Sequence, residues 1–390
     1  VTAFHDDLSQ RLKTIRVDGL YRELREIDSP QGTHVVVDGK RLLNFSSNDY
    51  LGLANHPAVK NAARTAIEEY GAGSGSARLI CGSLKVHHDL EAALAEFKGT
   101  EAALTFSSGY ATALGTICAI AQKTDAIIID HLAHACIVDA AKLCGAKLRI
   151  FAHNDSTDLE HCLKWAREKK FERILIVTES VFSMDGDLAP LREIIELKDR
   201  YGAWLMLDEA HATGLFGAKR RGLAEAFELA DRVEIQMGTL GKALGSAGGY
   251  ICGSRTLIDF LINRARTFLF STAPVPAAAA AATAAIRIIQ SNEGEELRTR
   301  VWARVDQLKN GLVAGSWKLP LVQSPIIPIL IGDEAQAMET AAQLRSRGIL
   351  IPAVRYPTVP RGQARLRLTV SAAHTADDIT EFLHASPRQT

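Results

Sequence analysis

Two hydrophobic periods alternate along this chain, and they divide it into elements before any single residue is considered. In the first segment Leu8, Leu12, Ile15 and Leu20 recur at helical spacing within a charged stretch. That spacing predicts an amphipathic helix over 4–27. Next, Val35-Val36-Val37 and Leu42-Leu43 flank Asp38-Gly39. Apolar runs around Asp-Gly predict a hairpin. So small an arm cannot bury enough surface to fold alone, and must pack on the body or on a partner subunit. Residues 57–70 read as a helix with Pro57 at its start, ending in Gly71-Ala72-Gly73-Ser74-Gly75-Ser76-Ala77-Arg78. A dinucleotide-binding glycine run follows a strand and opens a helix; this one follows a helix, so that reading is rejected. It is either a flexible connection or a loop facing a site.

Beyond residue 100 short apolar, β-branched runs alternate with helical patterns. Strands are expected at 102–106, 126–130, 148–151, 174–179, 204–208, 234–238 and 249–252. Such runs separated by helices predict an α/β fold with a mostly parallel sheet covered on both faces. After an alanine-rich stretch over 277–289 the pattern changes. A charged helix over 295–314 and strands at 326–331 and 364–370 suggest a smaller α+β lobe. The expected organisation is an N-terminal helix and hairpin arm at 1–52, a large domain at 53–290 and a C-terminal α+β domain at 291–390. The alanine-rich stretch is too short to span a bilayer and is interrupted by Arg287.

Composition removes several classes. Lys plus Arg and Asp plus Glu are 45 each, so there is no basic footprint for nucleic acid or an anionic membrane. None of the six cysteines forms a Cys-x-x-Cys pair, which disfavours zinc sites of that type. They lie in apolar stretches and read as buried thiols of a reducing compartment. Val1-Thr2-Ala3-Phe4-His5 lacks the basic and apolar regions of a secretory signal, so a cytoplasmic location is expected.

The candidate chemistry centres on Gly238-Thr239-Leu240-Gly241-Lys242-Ala243-Leu244-Gly245. A lysine among small residues can be desolvated, made nucleophilic and joined to an aldehyde as a Schiff base. The alternative is a solvated surface charge. Upstream, Trp204-Leu205-Met206-Leu207 ends in Asp208-Glu209-Ala210-His211. The C-terminal end of a parallel strand is where open α/β sheets place ligands. A site for pyridoxal phosphate (PLP) needs a carboxylate for the ring nitrogen, a lysine for the aldehyde and a phosphate cradle. Ser107-Ser108-Gly109-Tyr110, between a strand and a helix, supplies either that cradle or only a helix cap. His134 alone is an ordinary polar residue. Met184-Asp185-Gly186-Asp187 alone is a turn, and it lacks the other acidic positions of a calcium loop. Over 364–370 alternation puts Arg365, Arg367 and Thr369 on one face.

Asp208-Glu209-Ala210-His211 followed by Gly238-Thr239-Leu240-Gly241-Lys242 resembles the α-oxoamine synthases, within the fold type I PLP enzymes. The resemblance extends from Leu43-Asn44-Phe45-Ser46-Ser47-Asn48-Asp49-Tyr50-Leu51-Gly52 to Ala364-Arg365-Leu366-Arg367-Leu368. It implies PLP on Lys242, with Asp208 at the pyridinium nitrogen, His211 at the ring hydroxyl and His134 stacked on the ring. It also implies cofactor contacts from Gly109, Tyr110, Ser183 and Thr239. Ser271 and Thr272 are similar to the stretch that reaches the neighbouring subunit's phosphate, implying a homodimer with shared active sites. Arg22, Asn48, Thr358 and Arg367 match substrate positions, Arg367 as the carboxylate arginine.

The implied reaction is decarboxylative condensation of L-alanine with a pimeloyl thioester, carried on CoA or a carrier protein. Pro357-Thr358-Val359-Pro360 and Thr369-Val370-Ser371-Ala372-Ala373-His374 favour those substrates. Glycine C-acetyltransferase and other members remain alternatives, as does an aminotransferase on the same fold. A non-enzymatic binding subunit is disfavoured by Lys242, Asp208 and His211 standing together. Two departures bear on substrate choice rather than chemistry: Ala212 follows His211 where relatives often have glycine, and Gly241 precedes the lysine where some have serine.

Overall fold

The computed structural model describes residues 2–386. Val1 and residues 387–390, the outer limits of the expected arm and C-terminal domain, lie outside the described residues. Thirteen strands are named among those described. They are β1 (His34–Val37), β2 (Lys40–Asn44), β3 (Ala102–Phe106), β4 (Ala126–Asp130), β5 (Lys147–Phe151), β6 (Ile174–Glu179) and β7 (Trp204–Asp208). There follow β8 (Ile235–Thr239), β9 (Gly249–Gly253), β10 (Ile326–Gly332), β11 (Ile349–Leu350), β12 (Ala353–Val354) and β13 (Ala364–Thr369).

The central sheet has the order β3-β9-β8-β7-β6-β4-β5. It is the mostly parallel sheet expected, with β9 running against both its neighbours. Its strands alternate between two cores. Ile127, Ile129, Leu175, Val177 and Met206 face helices Gly109–Ile120 and Ala135–Leu143 on one side. Ile128, Ile174, Ile176, Leu205 and Leu207 face Ser156–Glu168 and Leu191–Arg200 on the other. Both faces are buried, so these strands read as unbroken apolar runs rather than as alternating ones. Local signals start the helices: the Ser108 hydroxyl accepts the Ala111 N–H, and the Asp155 carboxylate accepts those of Thr157 and Asp158.

The smaller antiparallel sheet is ordered β10-β13-β12. The hairpin β1-β2 turns at Asp38-Gly39, both with positive φ, and docks β2 in parallel on β11. Phe45 then stacks on His374 at 4.5 Å and meets Phe382 at 4.9 Å. The arm therefore packs on the C-terminal lobe of its own chain. Helices Pro276–Gln290 and Asn292–Ala314 are separated only by Ser291. A Cβ at Gly294 would lie 2.3 Å from the Ile289 carbonyl oxygen, so this corner requires glycine.

Two expectations need correction. The first helix covers only Thr2–Val17, because Gly19 takes a positive φ and the chain beyond it is extended. None of its residues is buried; Phe4, Leu8, Leu12 and Ile15 stay exposed. The cysteines are not uniformly buried: Cys81 is exposed on the helical turn Arg78–Gly82, and Cys118 and Cys144 are partly exposed. No helix among the described residues is long and apolar enough to cross a membrane.

One buried ion pair anchors the loop after β7. Lys98 and Glu209, each 1% exposed, pair with each other. Lys98 also donates to the Arg221 carbonyl at 2.5 Å, and Glu209 accepts the Ala224 N–H at 2.9 Å. Breaking such a pair leaves an uncompensated buried charge. Lys98→Met should therefore cost about 3–5 kcal/mol in equilibrium urea unfolding, most of it recovered when Glu209→Gln is added. A second substitution that recovered nothing would show that the lost stability comes from packing rather than charge.

Candidate active site

The functional candidates gather at the C-terminal ends of the parallel strands. Asp208 ends β7 and is buried; one of its oxygens accepts the Ala210 N–H at 2.9 Å. Three residues on, His211 is also buried. Its Nε2 lies 2.7 Å from Lys242 Nζ and its Nδ1 2.5 Å from the Tyr50 hydroxyl. Burial pushes His211 well below its ordinary pKa, and the charges of Lys242 and Arg367 act in the same direction. A neutral imidazole is the result. Burial also lowers the Lys242 pKa, against the pull of Asp208 and Glu179. A lysine so placed gives up its proton more readily than one at the surface.

Glu179 ends β6 directly beside Asp208 in the sheet register. It accepts the backbone N–H of His134 at 2.7 Å. Burial first, and repulsion from Asp208 second, push its carboxyl up to about 8. Burial raises Asp208 too, but there Lys242 is the leading opposing influence. Of the two carboxyls Glu179 therefore keeps the proton and Asp208 the charge. His134 caps helix Ala135–Leu143, its Nδ1 accepting the Cys136 N–H at 3.2 Å. Because Nδ1 accepts, the neutral ring carries its proton on Nε2. Burial lowers the His134 pKa, partly offset by Asp208.

The phosphate candidates also converge. Gly109 begins its helix against Thr239; a Cβ on Gly109 would lie 3.7 Å from the Thr239 side chain. A Cβ on Gly249 would lie 2.9 Å from Gly109 Cα, so bare backbone is needed there. The N–H groups of the first helical turn have no intrahelical partners and, with the helix dipole, suit an anion. Thr239 Oγ1 donates to the Gly248 carbonyl at 3.0 Å. Tyr110 is exposed and donates to Asp139 at 2.5 Å.

Arg367 is buried and largely satisfied within the protein. Its Nε donates to the Ser183 carbonyl at 2.6 Å, and its Nη groups to Thr369 at 2.9 Å and twice to Asn48 at 3.2 Å. These bonds use four of its five N–H donors, leaving one. A bidentate grip on a carboxylate thus requires Asn48 to yield a bond. Ser183 and His134 line a cavity of about 550 Å³. A second, of about 640 Å³, holds Arg22, Arg25, Arg345 and Arg355. The two share Met184 and Thr358. Arg22 reaches Thr358 at 3.5 Å, a long contact. Ser271 and Thr272 stand apart: Thr272 bridges Ala77, and the next residue, Ala273, donates to the Ser76 carbonyl at 3.0 Å.

Tyr50, Glu179 and Cys136, whose Sγ is 3.0 Å from His134 Nδ1, went unremarked as site residues in the sequence reading. Glu179 carried a usable signal: like Asp208, it is a charge at the end of a buried parallel strand.

Residues 40–385 match the family model for aminotransferase class I and II. A protein named 8-amino-7-oxononanoate synthase from Thermoanaerobacter pseudethanolicus is 44% identical over 97% of this chain and 95% of its own. A serine palmitoyltransferase from S. paucimobilis, solved with PLP bound, superposes with a TM-score of 0.92 at 29% identity, covering 99% of this chain and 98% of that one. A solved 8-amino-7-oxononanoate synthase from Francisella tularensis gives 0.75 at 27% identity, covering 88% and 96%. The chain belongs to the aminotransferase class I and II family, and within it is similar along nearly its whole length to α-oxoamine synthases.

PLP fits the residues present. Asp208 offers a buried anion for a ring N–H, Lys242 an amine for the aldehyde, and the Gly109 helix start, walled by Thr239, a cradle for the phosphate.

The Glu179 proton has a measurable consequence. The folded protein binds it up to about pH 8, whereas an unperturbed carboxyl releases it near 4.5. The resulting stabilisation is complete below 4.5 and is lost as the pH rises to about 8. Measured against Glu179→Gln, which keeps an acceptor for the His134 N–H, wild type should lose stability across that window. The slope should reach about 1.4 kcal/mol per pH unit at most. Urea unfolding of the apo-protein at stepped pH reads this; a constant difference would mean that Glu179 is ionised in the fold.

Proposed function

We propose that this protein condenses L-alanine with a pimeloyl thioester, releasing CO2 and the thiol carrier, and so makes 8-amino-7-oxononanoate for biotin synthesis. The observation that carries this reading is the Lys242–His211–Asp208 centre together with two neighbouring cavities that share Met184 and Thr358. A transaminating enzyme needs room for two small acids in turn. Here His134 and Ser183 line one chamber, and a second chamber that shares Met184 and Thr358 with it carries four arginines. An extended, acidic acyl chain suits that shape and charge. The full-length similarity to proteins named for this reaction supports the same conclusion.

When bound, PLP supplies an aldehyde for the amino acid's nitrogen and a protonated ring that accepts the electron pair left at the α-carbon. Asp208 would hold the ring N–H through its charge, His134 would lie against the ring face, and His211 would hold the ring hydroxyl. Arg367 orients the amino-acid carboxylate with its remaining N–H and with donors given up by Asn48. Lys242 Nζ would take the α-proton; its lowered pKa keeps the amine available as a base. The α-carbon would then attack the thioester carbonyl, the thiolate would leave, the β-keto acid would lose CO2, and the proton held on Lys242 would return to the α-carbon. Arg22 and Thr358 contact the acyl chain.

The active unit is a homodimer. Ile80 is 79% exposed and Phe270 72%, with Leu79 and Val275 also exposed, in segments joined by the Ala77–Thr272 bridge. Apolar side chains clustered in this way suit a subunit interface. In the dimer Ser271 and Thr272 reach the partner's phosphate. Six free thiols suit work in the reducing cytoplasm.

Thiol release tests the reaction: several acyl-CoAs crossed with alanine, glycine and serine should give the highest kcat/KM for pimeloyl-CoA with alanine. Preference for acetyl-CoA with glycine would replace this reading by glycine C-acetyltransferase. Complementation tests the shared site. Lys242→Ala and Thr272→Ala chains, each impaired alone, should regain activity when mixed and allowed to exchange subunits, because one site per heterodimer is intact. Exchange without recovery would place Thr272 outside the partner's site.

A further inference from the structure

His153 lies just beyond β5, and the reaction proposed above gives it no part. Its ring joins two acidic residues at the roots of the cavity walls. Nδ1 is 2.9 Å from Asp130 and Nε2 is 2.8 Å from Asp187. A carboxylate faces each ring nitrogen, so both nitrogens carry protons and the ring is an imidazolium. Burial alone would lower its pKa; the two carboxylates override this and push it up to about 10.

Each end of the bridge is fixed to one wall. Asp130 ends β4 and is fully buried at its side chain. It also accepts the N–H groups of Leu132 at 2.7 Å and Asn154 at 3.0 Å, which sets the start of the loop leading to His134. Asp187 closes the opposite loop, its carbonyl accepting the Phe182 N–H at 3.0 Å. Its carboxylate also accepts Asn154 Nδ2 at 2.8 Å. The Phe182 ring meets the imidazole edge-on, with centroids 4.4 Å apart. Between Phe182 and Asp187 lie Ser183 and Met184, which line the cavity, and Met184 lines both chambers. The near half of this loop is tied separately, by Arg367 to the Ser183 carbonyl and by Arg365 to Asp185.

We infer that His153 is a positioning residue, a charged strut that holds the Ser183–Met184 loop at a set distance from the His134 loop and so fixes the width of the acyl passage. This rests on the reading of the cavity as an acyl-thioester site. Loss of the strut loosens the Asp187 end of the loop, which keeps its bond from Asn154, while the arginines keep the Ser183 end. Binding of the acyl chain is weakened, and the chemistry at Lys242 is not. A residue that served stability alone would not separate these two effects.

The test uses holoenzyme of wild type, His153→Gln, Asp187→Asn and the double variant. Each single substitution should raise KM for pimeloyl-CoA about ten-fold, leave KM for L-alanine unchanged and keep kcat within about two-fold. The double variant should be no worse than either single, because both remove the same link. An unchanged pimeloyl-CoA KM, a fall in kcat matching the rise in KM, or multiplying effects would overturn the strut. Asp187→Asn, altered only on the loop side, decides alone if His153→Gln does not fold. Amide exchange gives a readout that needs no substrate. Phe182 and Gly186 should exchange faster in either variant while β6 is unchanged; identical exchange overturns the strut. Faster exchange in the variants, with no thiol release by wild type from pimeloyl-CoA, would instead leave the strut standing and remove the proposed reaction.

Discussion

Two carboxyl groups stand side by side at the ends of β6 and β7, out of reach of water, and the site is arranged around what that proximity forbids. Ionising both at such proximity and burial is costly, and the second charge comes only near pH 8. Lys242 lies close enough to favour one negative charge, and Asp208 takes it. Glu179 stays protonated and spends an oxygen on the backbone of His134. In the proposed reading one neighbour is an electrostatic partner for a ring, and the other is a neutral brace for His134. Burial keeps His211 neutral, and the Lys242 charge acts in the same direction. Removing any one of these charges would redistribute protons among the others, so the cluster acts as a unit rather than as a set of separate residues.

Much of this was legible in the chain itself, for a definite reason. Parallel strands covered on both faces must be apolar without interruption, so β4, β6 and β7 stood out, and with them the charge that ends β7. Lys242 was visible because glycines surround it. What could not be read was anything defined by a distant partner. Tyr50 is 161 positions from His211, and only folding brings the two together. Arg367 reads as a free carboxylate clamp until Asn48, 319 positions away, is seen to occupy it. His153 has no local pattern at all; its role comes from Asp130 and Asp187, which belong to different crossovers. The first helix was drawn too long because leucine spacing continued past Gly19, where backbone conformation rather than hydrophobicity ends the element.

The residues proposed to meet substrate come from parts far apart in the chain. The arm supplies Arg22 and Asn48, the central sheet the charged cluster, and the C-terminal lobe Thr358 and Arg367. Arg367 touches both other parts at once, through Asn48 and the Ser183 carbonyl. Its saturation by protein acceptors therefore does two jobs: it keeps a buried cation satisfied before substrate arrives, and it fastens the arm and the Ser183 loop to β13.

The pairing of β2 with β11 sets an order of events during synthesis. The hairpin emerges from the ribosome early, but the strand that receives it, Ile349–Leu350, follows some three hundred residues later. Contacts between such distant segments form late, after the loop between them has been closed by other structure. The large sheet can assemble while the arm still waits, with Phe45 and the apolar side of the hairpin uncovered. A nascent chain halted before β11 would carry Lys242 and Asp208 beside an undocked arm, a species open to capture by chaperones or proteases.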